Sequence, residues 1–373
     1  MSATPIYLDH NATTPVHPAV REAMLPWLGA QWGNPSSAHA YGRDAARALA
    51  DARAQVAELV GADPDEVLFT SGGTEADNLA ILGAQLAIDR VALSSVEHPA
   101  VAAAVRERVR RGATSLELPV DREGRVELGS LREPVGLLSV MLAQNETGVI
   151  QPVGQLAKRA RAAHDRVLVH CDGAQAVGKI PVDVRALDVD MLTIVGHKFY
   201  APAGIGALVV RRGTSLTPTS HGGGQERGLR SGTEPVALAV ALGAACALAR
   251  NDLDREPARQ LVLREQLWNA LVERIPDLVR TGASLDTLPN TLHVRVPGLV
   301  GAAILAAAPE VAASTGSACH SEHDGVSGVL GAMGVPAREA MGALRLSLGR
   351  ATTREDITRA AAALADAVQR MRS

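Results

Sequence analysis

The chain has 373 residues, 47% of them hydrophobic, enough for one large domain with a smaller companion. A formal net charge of −3 and only 2% aromatics supply neither the basic field nor the stacking platforms that nucleic-acid binding uses. Three widely spaced cysteines, Cys171, Cys246 and Cys319, cannot all pair, which reads as free thiols in a reducing, cytoplasmic protein.

The amino-terminal MSATPIYLDHN lacks a basic head and an apolar run, so no secretory signal is read there. EVLFTS (66–71) is the first strand-like run, and it opens into the helical GGTEADNLAILGAQ. RVALSSV (90–96) follows, with a helix beginning near Pro99. GLLSVMLA (136–143), RVLVH (166–170), DMLTIV (190–195) and GALVVRR (206–212) continue the strand series. Such alternation predicts a mostly parallel sheet with helices on both faces and a ligand at the carboxyl ends of the strands. The Ala-rich stretch 236–249 falls short of the roughly 18 apolar residues of a membrane span and reads as a core helix. Polar NDLDREPARQ near Arg250 marks a boundary, beyond which TLHVRV (291–296) and RLSL (345–348) are further strands.

The chemistry lies just past the strands. Gly72-Gly73-Thr74 puts free backbone N–H groups at a helix start, an anion site suited to phosphate, although Ser71 and Thr74 also suit plain helix caps. It is not a GxGxxG run, so a dinucleotide reading lacks its fingerprint. Asp172 after RVLVH is either a helix cap or the carboxylate that keeps a pyridine nitrogen protonated. Lys198 follows an apolar strand, where partial desolvation makes a lysine a carbonyl-condensing amine; structural lysines occupy such places too. Together, phosphate cradle, pyridinium partner and amine are the parts that pyridoxal phosphate (PLP) requires.

These residues stand in segments that carry a family resemblance nearly end to end. They are YLDHNATTPVHPAV, NPSSAHAYG, LFTSGGTEADNLAI, SSVEHPAV, QNETGVIQPV, HCDGAQAVGKIPVDV, GHKFYAPAGIGAL, GGGQERGLRSGTEP, STGSAC and LRLSLGR. The chain resembles the cysteine desulfurases, in the class V aminotransferase group of fold type I PLP enzymes. The resemblance implies an α/β fold with a large domain (16–250) built on a mostly parallel seven-stranded sheet. A smaller α+β domain would combine 1–15 with 251–373. It further implies that Lys198 carries the cofactor covalently and moves the substrate Cα proton, that Asp172 pairs with the pyridinium nitrogen, and that Gln175 and Asn145 bond around the phenolic oxygen. His98 would stack on the ring and shuttle protons, while Gly73, Thr74 and His197 hold the phosphate. Thr233 is similar to the residue that reaches the neighbouring subunit's phosphate, implying a homodimer. Asn34 and Arg345 would grip the substrate carboxylate, and Cys319 would take the sulfur and pass it to an acceptor protein. Neither nucleic acid nor membrane enters this expectation.

One departure is Val195, where family members usually carry a serine that bonds the phosphate. Ordinary alternatives exist for the outlying residues: a loop histidine at His98, a turn at Asn34-Pro35, a surface ion pair for Arg345, a cap at Thr233, and small buried hydrophobes at Cys171 and Cys246. Cys319, His320, His323 and Asp324 include metal-ligand types, but no second ligand pair of the usual zinc spacing accompanies them. His221-Gly222-Gly223-Gly224 looks like an esterase oxyanion element, yet no G-x-S-x-G exists in the chain. A sulfur-carrying scaffold without catalysis has only Val195 in its favour. The run Cys319-His320-Ser321-Glu322-His323 is also similar to the active-cysteine loop of mammalian-type selenocysteine lyases, so L-selenocysteine is the alternative substrate.

Overall fold

The computed structural model describes residues 4–282, 286–316 and 327–373. A short opening strand β1 (Ile6–Tyr7) precedes the large sheet. That sheet contains β2 (Val67–Thr70), β3 (Arg90–Ser94), β4 (Thr114–Leu118), β5 (Leu137–Ser139), β6 (Leu168–Asp172), β7 (Met191–Val195) and β8 (Gly206–Val210). Its order is β2-β8-β7-β6-β5-β3-β4, and only β8 runs against the others. Apolar runs such as VLFT, MLTIV and GALVV are buried throughout, as expected where helices cover both faces.

The sequence reading overlooked β4, whose TSLEL is largely polar. It is an edge strand, mostly open to solvent, so one side needs no apolar cover. The expected strand 136–143 is Leu137–Ser139, where pairing with β3 ends; Val140 and Leu142 still donate to the His170 and Asp172 carbonyls of β6 as the chain runs on toward Asn145. Gly206 lets β8 enter between its neighbours: a Cβ there would lie 2.6 Å from the Ile194 carbonyl oxygen and 2.9 Å from Gly72 Cα.

A second apolar cluster joins Ile6 and Leu8 to Leu263, Leu267, Leu292, Val294, Leu344, Leu346 and the carboxyl-terminal helix Arg354–Arg372. It surrounds β9 (Val279–Arg280), β10 (Thr291–Arg295) and β12 (Ala343–Ser347), an antiparallel sheet of order β12-β10-β9. The first strand, β1, pairs in parallel with β11 (Val311–Ala312). The Ala-rich stretch is the helix Val236–Asp252, packed into the main core. Among the described residues, no single helix is long and apolar enough to cross a membrane.

Two buried histidines make the fold sensitive to acid. Burial holds His170 down to about 3, and burial with the Arg345 and Arg295 charges does the same for His293. Both folded values lie below the ordinary 6.5, so the unfolded chain binds more protons between those limits. The contribution of these two imidazoles is expected to be complete above pH 6.5 and to be lost as pH drops toward 3, against an opposite contribution from buried Glu97, which is held up to about 8. Urea midpoints of wild type and His293→Gln at pH 7, 5.5 and 4.5 check this; the same pH dependence in both proteins would contradict a buried neutral imidazole at 293.

Candidate active site

The loops leaving β2, β3, β5, β6 and β7 at their carboxyl ends converge on one cavity of about 360 Å³, in the usual range for a cofactor pocket. Its lining includes Gly73, Thr74, His98, Asn145, Asp172, Gln175, His197, Lys198 and Arg345, so the structure brings nine of the twelve residues singled out from sequence to one place. Asn34 and Thr233 are exposed and do not line it. Cys319 lies outside the described residues, as do His320, His323 and Asp324.

Each side chain arrives for a local reason. The helix Gly73–Gly83 begins on Gly72 with no side-chain cap, so neither Ser71 nor Thr74 takes the capping role left open above. Gly73 must be small, since a Cβ would lie 2.7 Å from Val195 Cγ2. His98 caps the helix Pro99–Arg110, its Nδ1 accepting from the Ala100 N–H at 3.1 Å, which places a neutral ring's proton on Nε2. Asp172 ends β6, and its Oδ1 accepts from the Ala174 N–H at 2.9 Å. The local turn bond and the place in the cavity thus belong to the same carboxylate. Lys198 closes the short turn after β7, and its Nζ donates to the carbonyls of Asn11 (2.8 Å) and Ala12 (2.9 Å). Arg345 projects from β12, donating to Asp9 Oδ1 at 2.7 Å and to the Asn145 carbonyl at 3.1 Å. Its partner is an acidic residue, as the ordinary reading had it, yet the guanidinium is buried in the cavity wall and its Nε has no hydrogen-bond partner.

The electrostatics divide the cavity. Asp77, Glu97 and Asp172 make one wall acidic and short of positive charge. Burial pushes Asp172 up, opposed by the Ala174 N–H and the His98 and Lys198 charges. Burial and then the Asp172 charge push Asp77 well above the carboxylate range. Burial carries Glu97 up to about 8, although Ser94 Oγ and the Met141 N–H donate to its Oε1. The Asp77 Oδ1 and Glu97 Oε2 atoms are buried without a hydrogen-bond partner. The other side carries Lys198, His197 and Arg345. Burial and the neighbouring lysines hold His197 down to about 4, so its ring is neutral at pH 7. A cationic ring nitrogen against the first wall and anionic groups toward the second fit this polarity, and PLP has both.

Sequence reasoning missed several residues of the site. Asn11 is fully buried and joins both sheets' regions: its carbonyl accepts from Lys198 and from Gln175 Nε2 (2.9 Å), and its Nδ2 donates to Thr291 Oγ1 (2.9 Å). Glu146 Oε2 accepts from Ser327 Oγ at 2.6 Å, and a Cβ on Gly316 would lie 3.1 Å from the same oxygen. Gly316 and Ser327 flank the segment that contains Cys319, so one carboxylate touches both of its ends. These residues sit inside quoted motifs (DHN, QNETG), but a lone Asn or Glu has no spacing that marks it.

The class-V aminotransferase model matches residues 6–360. The chain belongs to that family. A cysteine desulfurase of Gluconacetobacter diazotrophicus is 46% identical over 95% of this chain and 91% of its own length. A solved NifS-like protein superposes with a TM-score of 0.92 at 32% identity, covering 98% of this chain and all of that one. The structure of SspA in complex with cysteine gives a TM-score of 0.78 at 31% identity, over 92% of this chain and 98% of that one. Membership in the class-V family accounts for the seven-stranded sheet and for the position of the cavity at its carboxyl rim.

Family membership sharpens the Val195 departure. Val195 lines the cavity with a methyl packed on Gly73, at the position where the resemblance leads one to expect a serine. Val195→Ser is expected to tighten PLP binding by about fivefold, the effect of one added hydrogen bond of about 1 kcal/mol. Equilibrium titration of apo-protein with PLP measures it, and unchanged affinity would show that no phosphate oxygen reaches this position.

Proposed function

We propose that this chain is a PLP-dependent cysteine desulfurase, taking sulfur from L-cysteine to leave L-alanine and a persulfide on Cys319. The observation that carries the reading is the shared cavity: an amine (Lys198), a buried carboxylate (Asp172) and an arginine (Arg345), set at the rim of one sheet and spread over two strand ends and the second sheet. The relatives named as cysteine desulfurases support the substrate.

Bound PLP would supply an electron sink for charge developing at the substrate Cα. Lys198 would hold it covalently, and its freed amine would take the Cα proton. Asp172, whose burial demands a cationic partner, keeps the pyridine nitrogen protonated. Gly73, Thr74 and neutral His197 hold the phosphate at the helix start. Gln175 and Asn145 would bond around the cofactor's phenolic oxygen, and His98 would stack on its ring and relay protons. Arg345 binds the substrate carboxylate, its geometry being suited to a forked contact, with Asn34 beside it. The Cys319 thiolate attacks the substrate sulfur; the S–S bond forms as the substrate C–S bond breaks, and the Cβ left behind is protonated to alanine.

The assembly in this reading is a homodimer in a reducing cytoplasm. The exposed Thr233 reaches the partner's phosphate site, and Cys171 and Cys246 are buried free thiols. An acceptor protein then takes the sulfur. The two domains would divide as 16–250 and 1–15 with 251–373. The Cys319–His323 run favours L-selenocysteine as the alternative substrate. Alanine production from the two amino acids at matched concentrations decides between them. Comparable rates, or faster turnover of cysteine, are expected; a large preference for selenocysteine would replace desulfurase by selenocysteine lyase.

A further inference from the structure

Behind the cavity wall lies a second lysine that the sequence reading gave no role. Lys179 is nine-tenths buried, and both its hydrogen-bond partners are neutral amide oxygens: Gln175 Oε1 at 2.6 Å and Asn11 Oδ1 at 2.9 Å. Burying an ammonium without a carboxylate is costly, and burial with the Lys198 and Arg345 charges holds its proton affinity well below that of an ordinary lysine. A structural role alone would be filled more cheaply by an apolar side chain.

We infer that Lys179 is a positioning residue that fixes the Gln175 and Asn11 amides with their oxygens inward, so that Gln175 presents an N–H to the cavity. An amide side chain has one acceptor end and one end with two donors, and rotation by half a turn exchanges them. As an ammonium Lys179 offers donors and no acceptor, and both amides turn their oxygens toward it. The Gln175 Nε2 end is thereby pointed away; one of its N–H groups goes to the Asn11 carbonyl at 2.9 Å, and the other is left for the cavity that Gln175 lines. The same constraint on Asn11 turns its Nδ2 toward Thr291 Oγ1 and the Asn145 carbonyl (3.3 Å). The Asn11 backbone carbonyl receives Gln175 Nε2, so the Gln175 amide is held between Lys179 at its oxygen and Asn11 at its nitrogen, while Asn11 Oδ1 accepts from both Lys179 and Asn290 Nδ2 (3.0 Å). A relaxed Gln175 would offer the cofactor's phenolic oxygen its own carbonyl half the time.

The inference rests on reading the cavity as a PLP site. The test is a double-variant cycle on apo-protein titrated with PLP, with Lys179→Met, Gln175→Ala and both together. Gln175→Ala and Lys179→Met are each expected to weaken PLP binding about tenfold and to move the bound cofactor's visible absorbance maximum in the same direction. The double variant is expected to be no weaker than Gln175→Ala alone and to show no added spectral shift. Losses that multiply to about a hundredfold, or a Lys179→Met protein that binds as wild type does, overturn the inference. If Lys179→Met does not fold, judged by its thermal transition, the cycle is run with Lys179→Gln under the same criterion of non-multiplying losses. Should the wild-type protein itself fail to take PLP on Lys198, the reading of the cavity falls instead, and the two failures are distinguished by that first titration.

Discussion

Replacing Cys319 with alanine is expected to abolish sulfide release from L-cysteine, a loss on the order of 10³-fold or more, while the protein keeps its yellow colour. The two readouts separate because the residues expected to hold the cofactor, Lys198, Asp172, Gly73 and Thr74 among them, stand on other elements of the chain. Glu146 still binds Ser327 in the variant, so the ends of the segment keep their anchor. Thiol chemistry is the one part of the reaction that no second group in the cavity can supply. Of the other two cysteines, Cys171 and Cys246 are buried, and burial pushes both thiols far above the ordinary range, away from thiolate formation at neutral pH. Sulfur release persisting at a comparable rate in Cys319→Ala would end the proposal of direct attack by this thiol.

Replacing Lys198 with alanine is expected to remove the covalent link to PLP and to lower turnover on the order of 10³-fold or more. Borohydride treatment followed by peptide mapping would fix the cofactor to residue 198 in the wild type and to no residue in the variant. The amine has two jobs, attachment and proton transfer, and the described cavity lining holds no other lysine to assume them. Lys179 is the nearest substitute in kind, but its Nζ is committed to Gln175 and Asn11 behind the wall. The cost to stability is small, since Lys198 gives up two carbonyl bonds of about 1 kcal/mol each and leaves the core strand β7 intact. A reducible covalent link surviving in Lys198→Ala would assign the attachment elsewhere.

How much of this was legible beforehand depended on the kind of signal. The buried strands β2, β3, β6, β7 and β8 announced themselves because full burial leaves an unbroken apolar run. Edge strand β4 did not, since a half-solvated ladder tolerates Thr, Ser and Glu. The short strands β1, β9 and β11, of two residues each, have too little length to show a period at all. In the site, residues at strand ends were found because an apolar run stops at them, and Lys198 and Asp172 are of that kind. Asn11, Lys179 and Glu146 were not, because each has a partner more than a hundred positions along the chain, and Glu97 was not, because its burial comes from the fold. The Asn11 N–H, for example, donates to Ser347 Oγ, 336 positions away.

That separation has a consequence for how the protein is made. The opening strand β1 can add to β11, and Asn11 can meet Thr291 and Ser347, only after the ribosome has released nearly the whole polypeptide. The bonds of Asn11 and Ala12 to Gln175 and Lys198 can form with the large sheet, whereas those of β1 and Asn11 to the second sheet must wait for it. Of the cavity-lining residues, Arg345 on β12 is contributed last, so the guanidinium joins a wall that the large sheet has already laid down.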